Sequence, residues 1–399
     1  TIDKILNSFQ PKEVLYPKGS EARFNELFGT KYYTYPIEEW FFETESAADR
    51  LKKHFEVSSL KGFGIDKMDC GISAAGAVLY YLDMTKHELV GHITSISRID
   101  ESTCVLLDRF TLRNLEILDT LHEGGRSLAD IIDRTITPMG ARALRRWLCM
   151  PLKKPADINE RLDIVECFVH HETERLELEQ ILRTIGDLER LASKIAVGRI
   201  SPREMVQLKI ALQAIKPLKE QCLSTGNEVL TKWTQQLDDC ETLSQRIDHE
   251  IREDAPSMLN KGNVIAPGVN TELDELREIS SHGKELLLKM QQREIENTGI
   301  PTLKISFNNV FGYYIEVTKT HVNKVPDTWI RKQTLVNAER YITPELKEYE
   351  EKILGAEDRI QELESDIYNT LLAAAASYIK PIQLDARVIS YIDTLISFA

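Results

Sequence analysis

Asp66 and Asp69 stand three residues apart after the run Gly62-Phe63-Gly64-Ile65. Paired carboxylates behind a strand can hold a divalent metal, as in nucleases of the ribonuclease-H type. Such a site needs further acids, and Asp83 is the one nearby, so turn aspartates before a helix are the ordinary reading. His87-Glu88-Leu89-Val90-Gly91-His92 is one residue too long for a zinc-protease motif. That motif puts two histidines at i and i+4 on one helix face, whereas here the second is at i+5. His170-His171 has no acid or thiol constellation beside it. The six cysteines (Cys70, Cys104, Cys149, Cys167, Cys222 and Cys240) include no C-x2-C pair and read as reduced thiols of a cytosolic chain. Neither G-x-x-x-x-G-K-[ST] nor G-x-G-x-x-G occurs, and no Ser/His/Asp or Cys/His arrangement is supported by spacing. The residues predict no catalytic group, no metal and no cofactor site.

A different chemistry lies in residues 302–343. Lys304, Lys319, Lys324, Arg331, Lys332 and Arg340 outnumber Glu316, Asp327 and Glu339, leaving +3 in a chain whose net charge is −13. A local cationic patch is what backbone-directed nucleic-acid binding requires, because neutralising phosphates releases counterions. Asn308, Asn309, Thr334 and Asn337 are neutral donors suited to phosphate oxygens. An ordinary solvated sheet with mixed charges has a similar composition.

Pattern places this patch on a sheet. Leu303, Ile305 and Phe307 alternate with polar residues, Asn308-Asn309-Val310-Phe311-Gly312 makes a turn, and alternation resumes with Tyr313, Ile315 and Val317. Residues 333–342 read as a third strand. A long helix is expected before it, over residues 271–296. Another is expected after it, from Thr343-Pro344 to about Tyr378. The second carries apolar or small residues at Leu346, Tyr349, Ile353, Ala356, Ile360, Leu363 and Ile367, a coiled heptad seam. About 34 residues make a rod of roughly 50 Å. Its stretch 345–366 holds nine acids and three bases, read as a solvated face. Two long, antiparallel helices with a β module at their tip form an arm for reaching a large partner.

Upstream, residues 1–106 mix short strands (13–16, 62–65, and a pair at 92–99 and 103–107) with a small-residue helix at 73–82 suited to packing on a sheet, a small α/β domain. From 108 to 260, Leu, Ile, Arg and Glu recur at helical spacing. Thr137-Pro138 and Ser201-Pro202-Arg203-Glu204 mark helix starts in an all-α region. Residues 253–269, with two prolines and two glycines, read as a linker.

The 399 residues suffice for two to four domains, and 42% apolar with 28% charged residues excludes a disordered chain. A charge of −13 excludes a protein that coats nucleic acid or anionic membrane with its whole surface. No apolar run approaches a membrane span. The start at Thr1-Ile2-Asp3 and the apolar close Leu395-Ile396-Ser397-Phe398-Ala399 lead to the expectation of an excised piece of a larger protein.

Several ordered stretches resemble the MutS DNA mismatch-recognition family, in its bacterial mismatch-repair branch. They are Phe110-Thr111-Leu112-Arg113-Asn114-Leu115-Glu116-Ile117, Thr135-Ile136-Thr137-Pro138-Met139-Gly140-Ala141-Arg142 running into Arg145-Arg146-Trp147-Leu148, Gly186-Asp187-Leu188-Glu189-Arg190 and Asn270-Thr271-Glu272-Leu273-Asp274. Two more flank the turn and the second long helix: Phe307-Asn308-Asn309-Val310-Phe311-Gly312-Tyr313-Tyr314-Ile315 and Asn337-Ala338-Glu339-Arg340-Tyr341-Ile342-Thr343-Pro344-Glu345-Leu346.

The resemblance implies a multidomain fold of α and α/β parts. Residues 1–106 would be a ribonuclease-H-like connector lacking its N-terminal part. Residues 107–283 and 344–399 would be an all-α lever (core) domain, and 284–343 an antiparallel β clamp inserted at the tip of its two long helices. Phe41-Phe42-Glu43 lacks the flanking context of the family's mismatch wedge, which would precede Thr1, and the ATPase domain would follow Ala399. The chain alone would then be no enzyme. The full-length protein would use ATP and Mg, act as a homodimer on mismatched double-stranded DNA, and recruit a MutL partner through the connector, in the cytoplasm at the nucleoid. The expected DNA contacts are Arg331, Lys332 and Arg340 on phosphates, Asn308, Asn309, Thr334 and Asn337 as positioning donors, and Lys304. A structural coiled-coil arm with a protein-binding tip is the alternative.

Overall fold

The computed structural model describes residues 2–9, 11–85, 90, 91, 93–98, 102–105, 107–308 and 312–399. The His87 and His92 pair and Asn309 lie outside these residues. The chain is mostly helical (62%), with a small antiparallel sheet of four strands. It divides into two compact units: Thr1–Ile200, Glu204–Ile247 and Leu372–Ala399 form one, and Ser201–Arg203 with Asp248–Leu371 the other.

In the first unit, β1 (Val14–Pro17) pairs in parallel with β2 (Thr34–Ile37). The run 62–65 is not a strand. Residues Leu60–Phe63 form a 3-10 turn, and Gly64 closes it at φ 69°, a left-handed conformation that glycine adopts without strain. Nor do the described residues of 92–99 and 103–107 pair with each other. Described residues 93–98 hold no strand, and the backbone of 103–105 bonds elsewhere: Val105 donates to Pro151 (2.8 Å) and Lys153 donates to Thr103 (3.0 Å). The small-residue helix exists as α2 (Asp69–Met84); it packs on α1 (Thr44–His54) and, as expected, also on the sheet, through Ala77, Tyr80 and Tyr81 against Leu15 of β1 and Ile37 of β2. A Cβ at Gly76 would lie 2.4 Å from the Ala47 Cβ, so two small residues permit this approach.

Further along lie α3 (Arg109–Asn114), α4 (Pro138–Cys149), α5 (Leu188–Ala196) and α6 (Pro202–Ser224). The expected start at Thr137-Pro138 is present: the Thr137 hydroxyl accepts the Gly140 N–H at 3.0 Å, and the proline needs no donor in the first turn. The C-terminal helix α9 (Ile379–Ile396) packs on α4 and α5. Its buried Asp393 accepts the N–H groups of Ile136 (2.9 Å) and Thr137 (2.8 Å) and the Thr137 hydroxyl (2.6 Å). A Cβ on Gly140 would meet the Asp393 carboxylate at 2.1 Å, so glycine is required there. Burial raises the Asp393 carboxyl above the usual range, and these donors oppose the rise.

In the second unit, α7 (Thr271–Thr298) starts at an Asn270 cap and ends at Gly299, φ 62°. It is followed by β3 (Lys304–Asn308), β4 (Gly312–Thr318), β5 (Ile330–Thr334), β6 (Ala338–Ile342) and α8 (Pro344–Ala376). Where one strand was expected over 333–342 there are two, joined by the turn at 335–337. Arg293 grips Glu345 (2.6 Å) and Arg277 grips Glu364 (2.5 Å), so late α7 meets early α8 and the two helices run antiparallel. The heptad seam holds: Leu346, Ile353, Ala356 and Leu363 are buried, and Tyr349, Ile360 and Ile367 half-buried. The acidic face is less solvated than expected, because Glu350 and Glu364 are buried. Glu364 accepts the Val264 N–H at 3.1 Å as well as Arg277. The expected linker is accordingly pinned, with Ile251 bridged to Ile265 and Val264 and Ile265 fully buried.

Candidate nucleic-acid interface

Strand order β3-β4-β6-β5 and antiparallel pairing fix which residues share a face. Side chains alternate along a strand, and directly opposed residues point the same way. Ile315, Val317 and Tyr341 join Leu303 and Trp329 in a core with Leu287 and Met290 of α7 and Leu346 and Ile353 of α8. The opposite, outward face therefore carries the cross-strand row Lys304, Glu316, Arg340 and Gln333.

That row is largely satisfied from within. Arg340 Nε donates to Glu316 (3.1 Å), its Nη1 donates to Gln333 (2.9 Å), and its guanidinium lies 4.2 Å from the Tyr314 ring centre. Only 18% of the Arg340 side chain is exposed. An arginine held by a carboxylate, an amide and an aromatic face has few free donors for a phosphate. Arg331 is more open but faces the other way, 3.5 Å from Glu339. Glu339 is buried and accepts the Tyr341 hydroxyl at 2.6 Å. Burial and that bond push the Tyr341 phenol up to about 12. Lys332 is exposed at the irregularity in β5 between Arg331 and Gln333. Lys304 and Lys332 form no ion pair among the described residues.

The neutral donors fall at opposite ends of the sheet. Asn308 opposes Gly312, while Thr318, six residues down β4, opposes Ala338 beside Asn337. At about 3.3 Å per residue the two ends lie roughly 20 Å apart. The Asn308 end adjoins the start of α8. There the Tyr313 N–H donates to Glu350 at 2.6 Å, and Gly312 holds φ 74°. A Cβ on Gly312 would lie 2.3 Å from that carboxylate. The Asn337 end projects away from α8. It exposes Thr334, Asn337 and Val336 (85%), with Lys319 donating its N–H to the Asn337 carbonyl (3.1 Å). The Lys324 ammonium reaches the Gly299 carbonyl (3.2 Å), and the hydroxyls of Thr302, Thr318 and Thr320 form a chain at 3.0 and 3.1 Å. Sequence counted Lys319 and Lys324 as charge without singling them out, and it missed Thr320. The signal was their position immediately after a strand whose register a 333–342 strand could not fix.

Asp66 lies in a turn and Asp69 opens α2, and no group of three His, Cys, Asp or Glu side chains able to hold a metal occurs among the described residues. No described helix is long and apolar enough to cross a membrane.

Two family models cover the chain: MutS domain II matches residues 1–94 and MutS domain III matches 110–399. The chain belongs to the MutS family. Proteins named DNA mismatch repair protein MutS from Parabacteroides distasonis (56% identical over 398 residues), Bacteroides fragilis (54% over 398) and Cytophaga hutchinsonii (52% over 398) align with all of it. The chain spans about half (46%) of the length of each of these MutS relatives.

Proposed function

We propose that this part of a MutS protein makes sequence-independent contact with duplex DNA through the Asn337 end of its four-stranded sheet. In this reading, α7 and α8 are the levers that join that contact to the helical body. Residues 1–106 form the connector, with a ribonuclease-H-like plan. Residues 107–283 with 344–399 form the lever domain, and 284–343 the clamp. The observation that carries the reading is the distribution of charge. The outward-face arginine is neutralised inside the sheet, while Lys319 and Lys324 stand exposed around neutral donors at the far end and Lys332 is exposed at the β5 irregularity that leads to it. Among the eight expected contacts, Thr334 and Asn337 sit there, and Lys332 lies mid-strand at the β5 irregularity, level with Arg340 and Tyr341. Lys304 and Arg340 lie on the face, Arg331 behind it, and Asn308 at the other end.

In the whole protein, two copies would encircle mismatched DNA, and ATP-driven changes would travel along the levers. ATP with Mg would supply that drive; the sequence holds no phosphate-loop motif, and no metal-holding cluster occurs among the described residues. The exposed Tyr33 and Trp40 give the connector a surface for a protein partner such as MutL. Such a protein would act in the cytoplasm, at the nucleoid. A coiled-coil arm with a protein-binding tip would end in a contiguous apolar patch. Here Val336 stands among threonine, asparagine and lysine.

The test is titration of this chain against fluorescent duplexes of about 40 base pairs, matched and mismatched, at several salt concentrations. Binding should be equal on both duplexes. The slope of log K on log salt should be about −2 to −3, for two or three phosphates neutralised. Mismatch preference would overturn the assignment of sequence-independent contact, and absence of binding at low salt would remove the DNA contact itself.

A further inference from the structure

A cavity of about 380 Å³ in the first unit, lined by Lys31 from the loop before β2 and by residues of 109–121, has no part in the clamp reading. Lys31, Arg109 and Arg113 supply its charge, Leu112 and Leu118 its apolar floor, and Asp119 its carboxylate. Arg109 and Arg113 sit four residues apart on α3, hence on one helix face, where like charges repel. Neither forms an ion pair among the described residues. The neighbouring acids are engaged elsewhere. Asp108 accepts the Thr111 N–H (2.8 Å) and caps α3, while Glu116 accepts the Leu121 N–H (2.6 Å). The Glu116 carbonyl also accepts the Leu128 N–H (2.8 Å), and Thr120 donates to the His122 carbonyl (2.8 Å), so the wall at 116–122 is fixed by its own hydrogen bonds.

We infer that this cavity binds the phosphate groups of a nucleotide-sized ligand. Arg109 and Arg113 would form the charge-assisted hydrogen bonds, Lys31 would add charge, and Leu112 and Leu118 would take an apolar or aromatic portion. Two unpaired guanidiniums on a rigid rim suit phosphate, because the planar fork donates two parallel hydrogen bonds. The volume lies in the range of small-ligand pockets. The phosphate comes either from a free nucleotide or from a nucleic-acid strand. The inference stands apart from the sheet, so it survives failure of the clamp reading.

The experiment is calorimetric titration of the 399-residue chain with inorganic pyrophosphate, ADP and a short duplex. The variants are Arg109→Gln/Arg113→Gln, Asp119→Asn and Lys319→Glu/Lys324→Glu. Pyrophosphate should bind one to one, and the double arginine variant should weaken it by about tenfold or more, the loss expected for two charged hydrogen bonds. Removing the Asp119 charge should tighten it by about twofold, and the lysine variant should leave it unchanged. ADP binding more tightly than pyrophosphate identifies a free nucleotide as the source. Arginine-dependent duplex binding without ADP binding identifies a strand. Both arginines are exposed, so an unchanged thermal melt accompanies the variants. The inference is overturned if pyrophosphate, ADP and duplex all bind the double arginine variant as well as the parent chain, or if none of them binds at this cavity.

Discussion

The two hairpin turns of the sheet are built from similar residues and do opposite things. The start of β4, on the far side of the first turn, is tied inward: Glu350 of α8 accepts the Tyr313 N–H, and Gly312 leaves no room for a side chain beside that carboxylate. The turn between β5 and β6 is left outward, with Val336 and Asn337 in solvent and lysines nearby. Residue type alone made Asn308 and Asn337 equivalent. Their difference comes from which end of the strands adjoins α8. One turn orients the module on its arm, and the other is available to a partner.

The largest effect should come from breaking the inward turn. Gly312→Ala places a methyl group against the Glu350 carboxylate in a left-handed conformation that only glycine holds without strain. Overpacking and backbone strain together should cost about 3 kcal/mol, read as a drop in urea midpoint at unchanged slope. A loss under about 1 kcal/mol would mean that the turn is not clamped to α8.

The outward end should respond in binding instead. Lys319→Glu/Lys324→Glu/Lys332→Glu should lower duplex affinity by about tenfold or more at low salt and flatten the salt dependence by two to three contacts, with thermal stability nearly unchanged. Arg340→Gln should show the reverse pattern. It removes a half-buried ion pair and a ring contact, so stability should fall by about 1–2 kcal/mol while the folded protein binds duplex almost as before. A binding loss from Arg340→Gln equal to that of the lysine variant would move the contact from the end of the sheet to its face.

How much of this was legible in the sequence depended on how locally each feature is encoded. The heptad seam of α8, the Thr137 cap and the β3–β4 hairpin rest on neighbours within a turn or two, and all were readable. The expected pairing of 92–99 with 103–107 misled, because the backbone of 103–105 bonds instead to residues 151–153, some fifty positions away. Glu350 and Glu364 looked solvated among acids. They are buried because the Tyr313 and Val264 N–H groups and Arg277 reach them from other elements, which composition cannot reveal. The internal bonds of Arg340 were hidden for the same reason: its partners Glu316 and Gln333 become neighbours only once the strand register is set.

The smallest and sharpest test compares the two asparagines directly. Asn337→Asp adds one negative charge at the exposed end, where a phosphate backbone would be repelled. Affinity should fall about two- to threefold at low salt, and the difference should fade as salt rises, since exposed charges a Debye length apart are screened. Asn308→Asp adds the same charge about 20 Å away, beside the turn that Glu350 already occupies. There it should leave duplex affinity unchanged and instead lower stability by a few tenths of a kcal/mol, through like-charge repulsion with that carboxylate. Because the two variants share composition, net charge and side-chain volume, any difference in binding between them reports position alone. Equal losses from both would mean that DNA lies along the length of the sheet, with the outward face, Lys304 included, in contact. A larger loss from Asn308→Asp would place the partner at the end where α8 begins and reverse the roles of the two turns.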